Sequence, residues 1–151
     1  MIALLDTALD VAALMAAVAD SDHGGTAVFI GTTRRESGER EVAELHYEAY
    51  EELALAELAA VAAEAESAFA ARVAVVHRTG PVAVGEPSVA VAASAGHRPA
   101  ALAACRYVID ELKARAPIWK QTRYADGAAT WIDGCAHDHA RGPTRSASRA
   151  R

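Results

Sequence analysis

The feature that most constrains this chain is a hydrophobic period that switches from helix to strand and back. Over residues 51–69 apolar positions recur at helical spacing, with Leu55, Leu58, Val61, Ala62, Ala65 and Phe69 on or near one stripe. The next two apolar runs, RVAVVHRTG (72–80) and PSVAVAAS (87–94), read as strands. Between them a loop is expected, carrying Gly80, Pro81 and Gly85. A second long helix is predicted over about 99–114: Pro99 suits its first turn, and Pro117 favours a stop just beyond it. Any fold for this chain must therefore pack two strands against two long helices.

The flanks add smaller pieces. IALL (2–5) predicts a short strand, and residues 10–19 an alanine-rich helix, followed by a turn cluster at 22–25. TAVFIGTT (26–33) predicts a strand, RRESGER (34–40) a polar loop with Gly38 at its tip, and VAELHYEAY (42–50) the returning strand of a hairpin. ATWI (129–132) predicts a last short strand. From about residue 136 the chain is rich in Ala, Arg, Ser and His without apolar periodicity, and a flexible tail is expected over 136–151. No internal repeat is visible. The expectation is one α+β domain over 1–135, with antiparallel hairpins and two long packed helices rather than regular βαβ alternation.

Composition narrows the function. With 52% hydrophobic and 23% charged residues, a globular fold is expected and disorder is not. Charge interrupts every apolar run well short of a membrane span, and no basic, apolar leader opens the sequence, so neither a membrane nor a secreted setting is expected. The two cysteines, Cys105 and Cys135, form neither a disulfide framework nor a CxxC pair, which fits a reducing cytoplasm. A net charge of −5 with 5% aromatics argues against nucleic-acid binding. Positive charge is nevertheless clustered, at Arg34–Arg35, at His97–Arg98 and from Lys113 to Arg123. Such spots on an acidic protein suit a small anion.

Each cluster has a plain structural reading beside the functional one. Lys113 and Lys120 are the kind of residue that usually sits at the surface, yet a lysine whose direction is fixed can serve as a proton donor or charge stabiliser. Lys120 follows Trp119 in a segment constrained by Pro117. His97–Arg98 precedes a predicted helix start, where backbone N–H groups beside an arginine can hold an anion. The same dipeptide recurs at His77–Arg78, so the pair alone decides nothing. Arg34 and Arg35 close a strand, as a phosphate contact or as an ordinary solvated loop. Cys135, His137, Asp138 and His139 are crowded and lack a second ligand cluster, so no metal site is expected.

Five segments in order resemble the large, catalytic subunit of molybdopterin synthase, the MoaE family: FIGTTR (29–34), LHYEAYEELA (45–54), HRTGPVAVGE (77–86), VAASAGHRPAALAAC (91–105) and IDELKARAPIWK (109–120). The resemblance implies a hammerhead-like α+β fold and a homodimer at the core of a heterotetramer. It also implies a small ubiquitin-like, MoaD-like sulfur carrier, whose C-terminal Gly-Gly tail is activated as a thiocarboxylate. The implied reaction delivers two sulfurs to cyclic pyranopterin monophosphate, forming molybdopterin in molybdenum cofactor biosynthesis. This sequence has no ubiquitin-like half, so the carrier is expected to be a separate protein. No resident cofactor is implied, because sulfur arrives on the carrier.

Carried over by position, the resemblance makes Lys113 and Lys120 the catalytic lysines, with Lys113 the more critical. It makes Thr32, Thr33, Arg34, His97, Arg98, Gln121 and Thr122 substrate-binding. Thr122 departs from the pattern, which usually carries an acidic residue there, and Leu53 and Leu102 stand where the family often has methionine and phenylalanine, both conservative packing changes. One consequence is geometric. Arg98 and Lys113 flank one predicted helix and lie roughly 20 Å apart at about 1.5 Å per residue. If both serve one small substrate, the site is shared across a dimer. The rival reading is a non-catalytic anion-binding or scaffold homologue that keeps the dimer and the carrier groove.

Overall fold

The computed structural model describes residues 1–38 and 40–132; the expectations for the tail and for Cys135, His137, Asp138 and His139 lie outside the described residues. The chain order is β1 (Ile2–Leu5), α1 (Val11–Ala17), β2 (Gly25–Thr32), β3 (Glu36–Ser37), β4 (Arg40–Ala49) and α2 (Glu51–Phe69). Then come β5 (Ala71–Arg78), β6 (Gly80–Ala83), β7 (Pro87–Ala95), α3 (Arg98–Arg115), β8 (Ile118–Tyr124) and β9 (Ala129–Ile132). The α+β expectation holds, and both long helices fall where the periodicity places them.

A first sheet has the order β1-β5-β7-β2, with β1 parallel to β5 and the other pairs antiparallel. Leu58 and Val61 of α2 and Val108 and Leu112 of α3 pack with Val73, Val75, Val89 and Val91 on one side of it. Leu14 and Val18, from α1 and its C-cap, pack with Ala74, Val76, Ala90 and Ala92 on the other. Both faces of β5 and β7 are thus buried, which is why their sequences read as continuous apolar runs. Each fully buried leucine contributes about 1.5–3 kcal/mol, and truncating Leu58 to alanine should cost about 2–5 kcal/mol.

A second sheet is built on β4, in the order β3-β4-β8-β9, with β6 also paired to β4. Three expectations change here. The strand at 42–50 does not return along the strand at 26–33: β2 pairs with β7, and the hairpin partner of β4 is β3, inside the expected polar loop. Residues 80–83 are not simply loop, because β6 leaves the first sheet and pairs with β4, with Pro81 opposite His46. β8 is a full strand with no counterpart in the sequence reading. The cause is common to all three. Alternation fixes which side chains share a face, but not which strand lies alongside.

Candidate active site

The two ends of β2 position most of the predicted residues. At its start, Gly25 lies against the first turn of α3: a Cβ there would sit 3.0 Å from the Cα and N of Arg98. Any larger residue would require that backbone to give by a few tenths of an ångström, so glycine lets β2 and α3 begin close together. They then run side by side, with Ala27, Val28 and Phe29 forming a shallow apolar groove with Leu102, Cys105 and Ile109. At 100° per residue, positions 98, 102, 106, 109 and 113 span about 80° of the helix surface. Arg98 and Lys113 therefore cap the two ends of one stripe bordering β2.

At the N-terminal end, His97 is the N-cap of α3, and its side chain makes no capping bond. The amides of Ala100 and Ala101 both donate to the His97 carbonyl (3.1 and 3.3 Å), and Pro99 has no N–H. The expected cradle of free backbone donors is therefore reduced. Anion binding at this end depends on the exposed His97 and Arg98 side chains, with no acidic residue in the first turn.

At the other end, Thr33 is locked between strands: its N–H donates to the Glu86 carbonyl (3.0 Å), and its carbonyl accepts from Gly85 N–H (2.8 Å). The Thr33 side chain is buried, and its hydroxyl has no partner among the described residues. Thr32 and Arg34 flank it, both exposed, and Arg34, Arg35 and Ser37 line an open depression. Lys120 stands opposite Tyr47 in the β4–β8 register. The Tyr47 hydroxyl donates to Ser88 Oγ (3.2 Å), whose own hydroxyl donates to the Gly31 carbonyl (3.3 Å). Lys120 is thus tied through two side chains to the exit of β2, the same end toward which α3 carries Lys113.

Thr32, Thr33 and Arg34 lie at the exit of β2, Lys113 near the C-terminal end of α3, Lys120 on β8 opposite Tyr47, and His97 and Arg98 at the start of α3. Gln121 and Thr122 differ from Lys120 in setting. Gln121 faces the opposite side of β8 from Lys120, since strand residues alternate, and its Oε1 accepts from Arg123 Nε (2.9 Å). Thr122 shares the Lys120 face but is only 1% exposed, opposite Leu45 and Thr130. It packs within the second sheet.

Sequence reasoning missed the supports. Arg115 joins α3 to α2, pairing with Glu57 (3.0 Å) and Glu64 (2.7 Å). Those carboxylates hold the guanidinium protonated, its pKa raised chiefly by the bond to Glu64. The signal was the seven-residue spacing of Glu57 and Glu64, two turns on one helix face. His77 is buried with its ring edge-on to Tyr47, 5.0 Å between centroids. Burial pushes its pKa down to about 4, although its Nδ1–H donates to the Arg78 carbonyl (2.8 Å). Arg78 pairs with Glu86 at 2.7 Å and holds that carboxyl below its usual range. No group of three His, Cys, Asp or Glu among the described residues is arranged to hold a metal, and no helix is long and apolar enough to cross a membrane.

Comparison with known proteins bears on the family and the fold. A molybdopterin synthase catalytic subunit of Oryza sativa subsp. indica is 52% identical over 120 residues, covering 79% of this chain and 62% of the rice protein. This chain therefore spans less than two thirds of that relative's length. The molybdopterin synthase structure from Staphylococcus aureus superposes with a TM-score of 0.84 at 26% identity, covering 87% of this chain and 96% of that one. The molybdopterin biosynthesis MoaE protein of Burkholderia ambifaria superposes with a TM-score of 0.74 at 35% identity, covering 91% and 92%. The family model described as "MoaE protein" matches residues 4–115, and the chain belongs to that family.

Proposed function

We propose that this chain is the catalytic subunit of a molybdopterin synthase, transferring sulfur from a thiocarboxylated, ubiquitin-like carrier to cyclic pyranopterin monophosphate. The observation that supports the reading is membership of this family over residues 4–115, with Lys113 near the end of the helix that starts against β2 and Lys120 on the strand paired to Tyr47. Each transfer forms a carbon–sulfur bond to the pterin as an oxygen leaves that carbon, and breaks the carrier's acyl carbon–sulfur bond as water adds to the acyl carbon, releasing the carrier as its carboxylate. Negative charge develops as that bond breaks. Lys113 and Lys120 stabilise the charge or pass the proton, which a positioned ammonium can do. Sulfur arrives on the carrier and the pterin is the substrate, so the reading asks for no resident cofactor and no metal. The setting is the cytoplasm, where the carrier's reactive thiocarboxylate is kept from oxidation.

The substrate is a small phosphorylated ring and cannot bridge α3 from end to end. In this reading the site is shared: Arg34, Lys113 and Lys120 come from one protomer, and His97 and Arg98 from its partner. The carrier tail enters at the lysine end of each site, so the dimer is the core of a heterotetramer. The scaffold alternative leaned on Thr122 in place of a carboxylate. The burial of Thr122 inside the second sheet supports a change in packing rather than the loss of a reacting group.

The test is reconstitution with thiocarboxylated carrier and cyclic pyranopterin monophosphate, scoring dithiolene product. Wild type should make product, and Lys113→Ala should fall furthest, by about 100-fold or more, with Lys120→Ala next. No product from wild type would reject the enzyme reading, and full activity in both variants would reject the site.

A further inference from the structure

The two long helices end differently. α2 closes on Ala70 in the left-handed conformation (φ 48°), whose N–H donates to the Glu66 carbonyl. α3 closes on Ala116, which is extended, and its N–H donates to the Leu112 carbonyl (3.0 Å) just ahead of Pro117. The last carbonyls of a helix lack intrahelical partners, so an end without a left-handed cap frays readily. Lys113 lies in that last turn.

Arg115 holds the turn from the side. Its Nε and Nη2 both reach Glu57 (3.0 Å each), and its Nη1 reaches Glu64 (2.7 Å), so one guanidinium spans two turns of α2. The Tyr107 hydroxyl of α3 donates to the same Glu64 carboxylate (2.8 Å). A forked pairing of this kind fixes direction as well as distance. The chain just beyond is tied to α2 as well, because the Tyr50 N–H donates to the Pro117 carbonyl (3.2 Å). Arg106 is the contrast on the same helix: it pairs at 3.3 Å with Asp110, four residues on, and its side chain is 85% exposed.

We propose that Arg115 is a positioning residue for sulfur transfer: it locks the last turn of α3 onto α2 and so fixes the direction in which Lys113 projects. The inference rests on the reading of Lys113 as a reacting group. Residues two apart on a helix are separated by about 200°, so the side chain anchored on α2 and the exposed Lys113 point to opposite sides of α3. Any twist of this turn carries Lys113 with it, and misplacing a reacting group by about 1 Å can cost about 100-fold in rate. Partly exposed ion pairs add little to stability, so the loss of Arg115 should appear in rate and leave the fold intact.

The experiment compares wild type with Arg115→Ala, Arg115→Lys and Glu57→Gln/Glu64→Gln. Each is assayed with thiocarboxylated carrier and cyclic pyranopterin monophosphate, and followed by circular dichroism and amide hydrogen exchange. Arg115→Ala should remain folded, lose about 10-fold in kcat with KM within about twofold, and exchange the amides of its last α3 turn faster. The glutamine variant should match it, and Arg115→Lys, which keeps the charge without the fork, should recover part of the loss. The deciding arm is the double variant. Added to Lys113→Ala, Arg115→Ala should cause no further loss, because the group it positions is gone; added to Lys120→Ala, it should still cost about 10-fold. A further 10-fold loss on top of Lys113→Ala would overturn the proposal, since Arg115 would then act on the fold as a whole. So would unchanged exchange in that turn, full activity, or failure of both Arg115→Ala and the glutamine variant to fold. An inactive wild type would reject the sulfur-transfer reading and this role with it, whereas an active wild type with multiplying losses rejects the positioning role alone.

Discussion

The chain contains the dipeptide His-Arg twice in strand-end positions, and the two copies have opposite fates. At the end of β5, His77 is buried against Tyr47, and Arg78 is engaged with Glu86. After β7, His97 and Arg98 are exposed, and the first turn of α3 has no acidic residue to neutralise them. The first pair is part of the packing and carries no available charge. The second stands exposed at the surface. Residue type is identical, so what separates the packed pair from the exposed one is burial and the presence of a carboxylate partner.

That contrast can be broken by a double dissociation. Arg98→Ala should lower sulfur transfer by about 100-fold or more while leaving the melting temperature within a degree or two. His77→Ala should do the reverse, costing about 2–3 kcal/mol of stability through cavity formation and a lost hydrogen bond, with activity per folded molecule retained. If Arg98→Ala melts early and works normally, the assignment of the two pairs is inverted.

A pH titration sharpens the same comparison. The folded pKa of His77 lies near 4, below its ordinary 6.5, so between those values the unfolded chain binds a proton that the folded chain excludes. Stability should therefore be full above about pH 6.5 and decline as pH falls toward 4, by about 3 kcal/mol in total. Denaturant midpoints for wild type and His77→Phe should converge at acid pH, because the variant lacks this component of the slope. A parallel decline in both would assign the slope to other groups. The smallest expected effect is at Thr33, whose buried hydroxyl has no partner among the described residues. Thr33→Val should change stability by less than about 0.5 kcal/mol. A loss above about 1.5 kcal/mol would show that the hydroxyl is bonded.

Much of this was legible in sequence, and the illegible part has a definite cause. The helices at 51–69 and 98–115 followed from periodicity, and β5 and β7 from apolar runs bounded by Gly and Pro. The second sheet did not. β8 reads IWKQTRY, where Ile118 and Thr122 are buried and Lys120 shares their face, so the strand's inward side is not uniformly apolar. The partner exchange that pairs β2 with β7 and β4 with β8 is a tertiary choice with no local signature. Among the site residues, Arg34, Lys113 and Lys120 were named from motif positions, and they lie on three different elements: the exit of β2, the end of α3 and β8. The side on which Gln121 projects depended on a strand that the sequence reading lacked. Tyr47 and Ser88, which tie Lys120 to β2, were invisible because they lie 41 residues apart and bond only across sheets.

The central claim is that one site draws on two chains, and co-expression of two inactive variants tests it most directly. In a mixed dimer of Lys113→Ala with Arg98→Ala, a shared architecture leaves one site with both lesions and the other with none. Random pairing makes about half the dimers mixed, so sulfur transfer should recover to about a quarter of wild type. Purified dimers that stay as inactive as either parent would mean that Lys113 and Arg98 act within one chain, and would contradict the account.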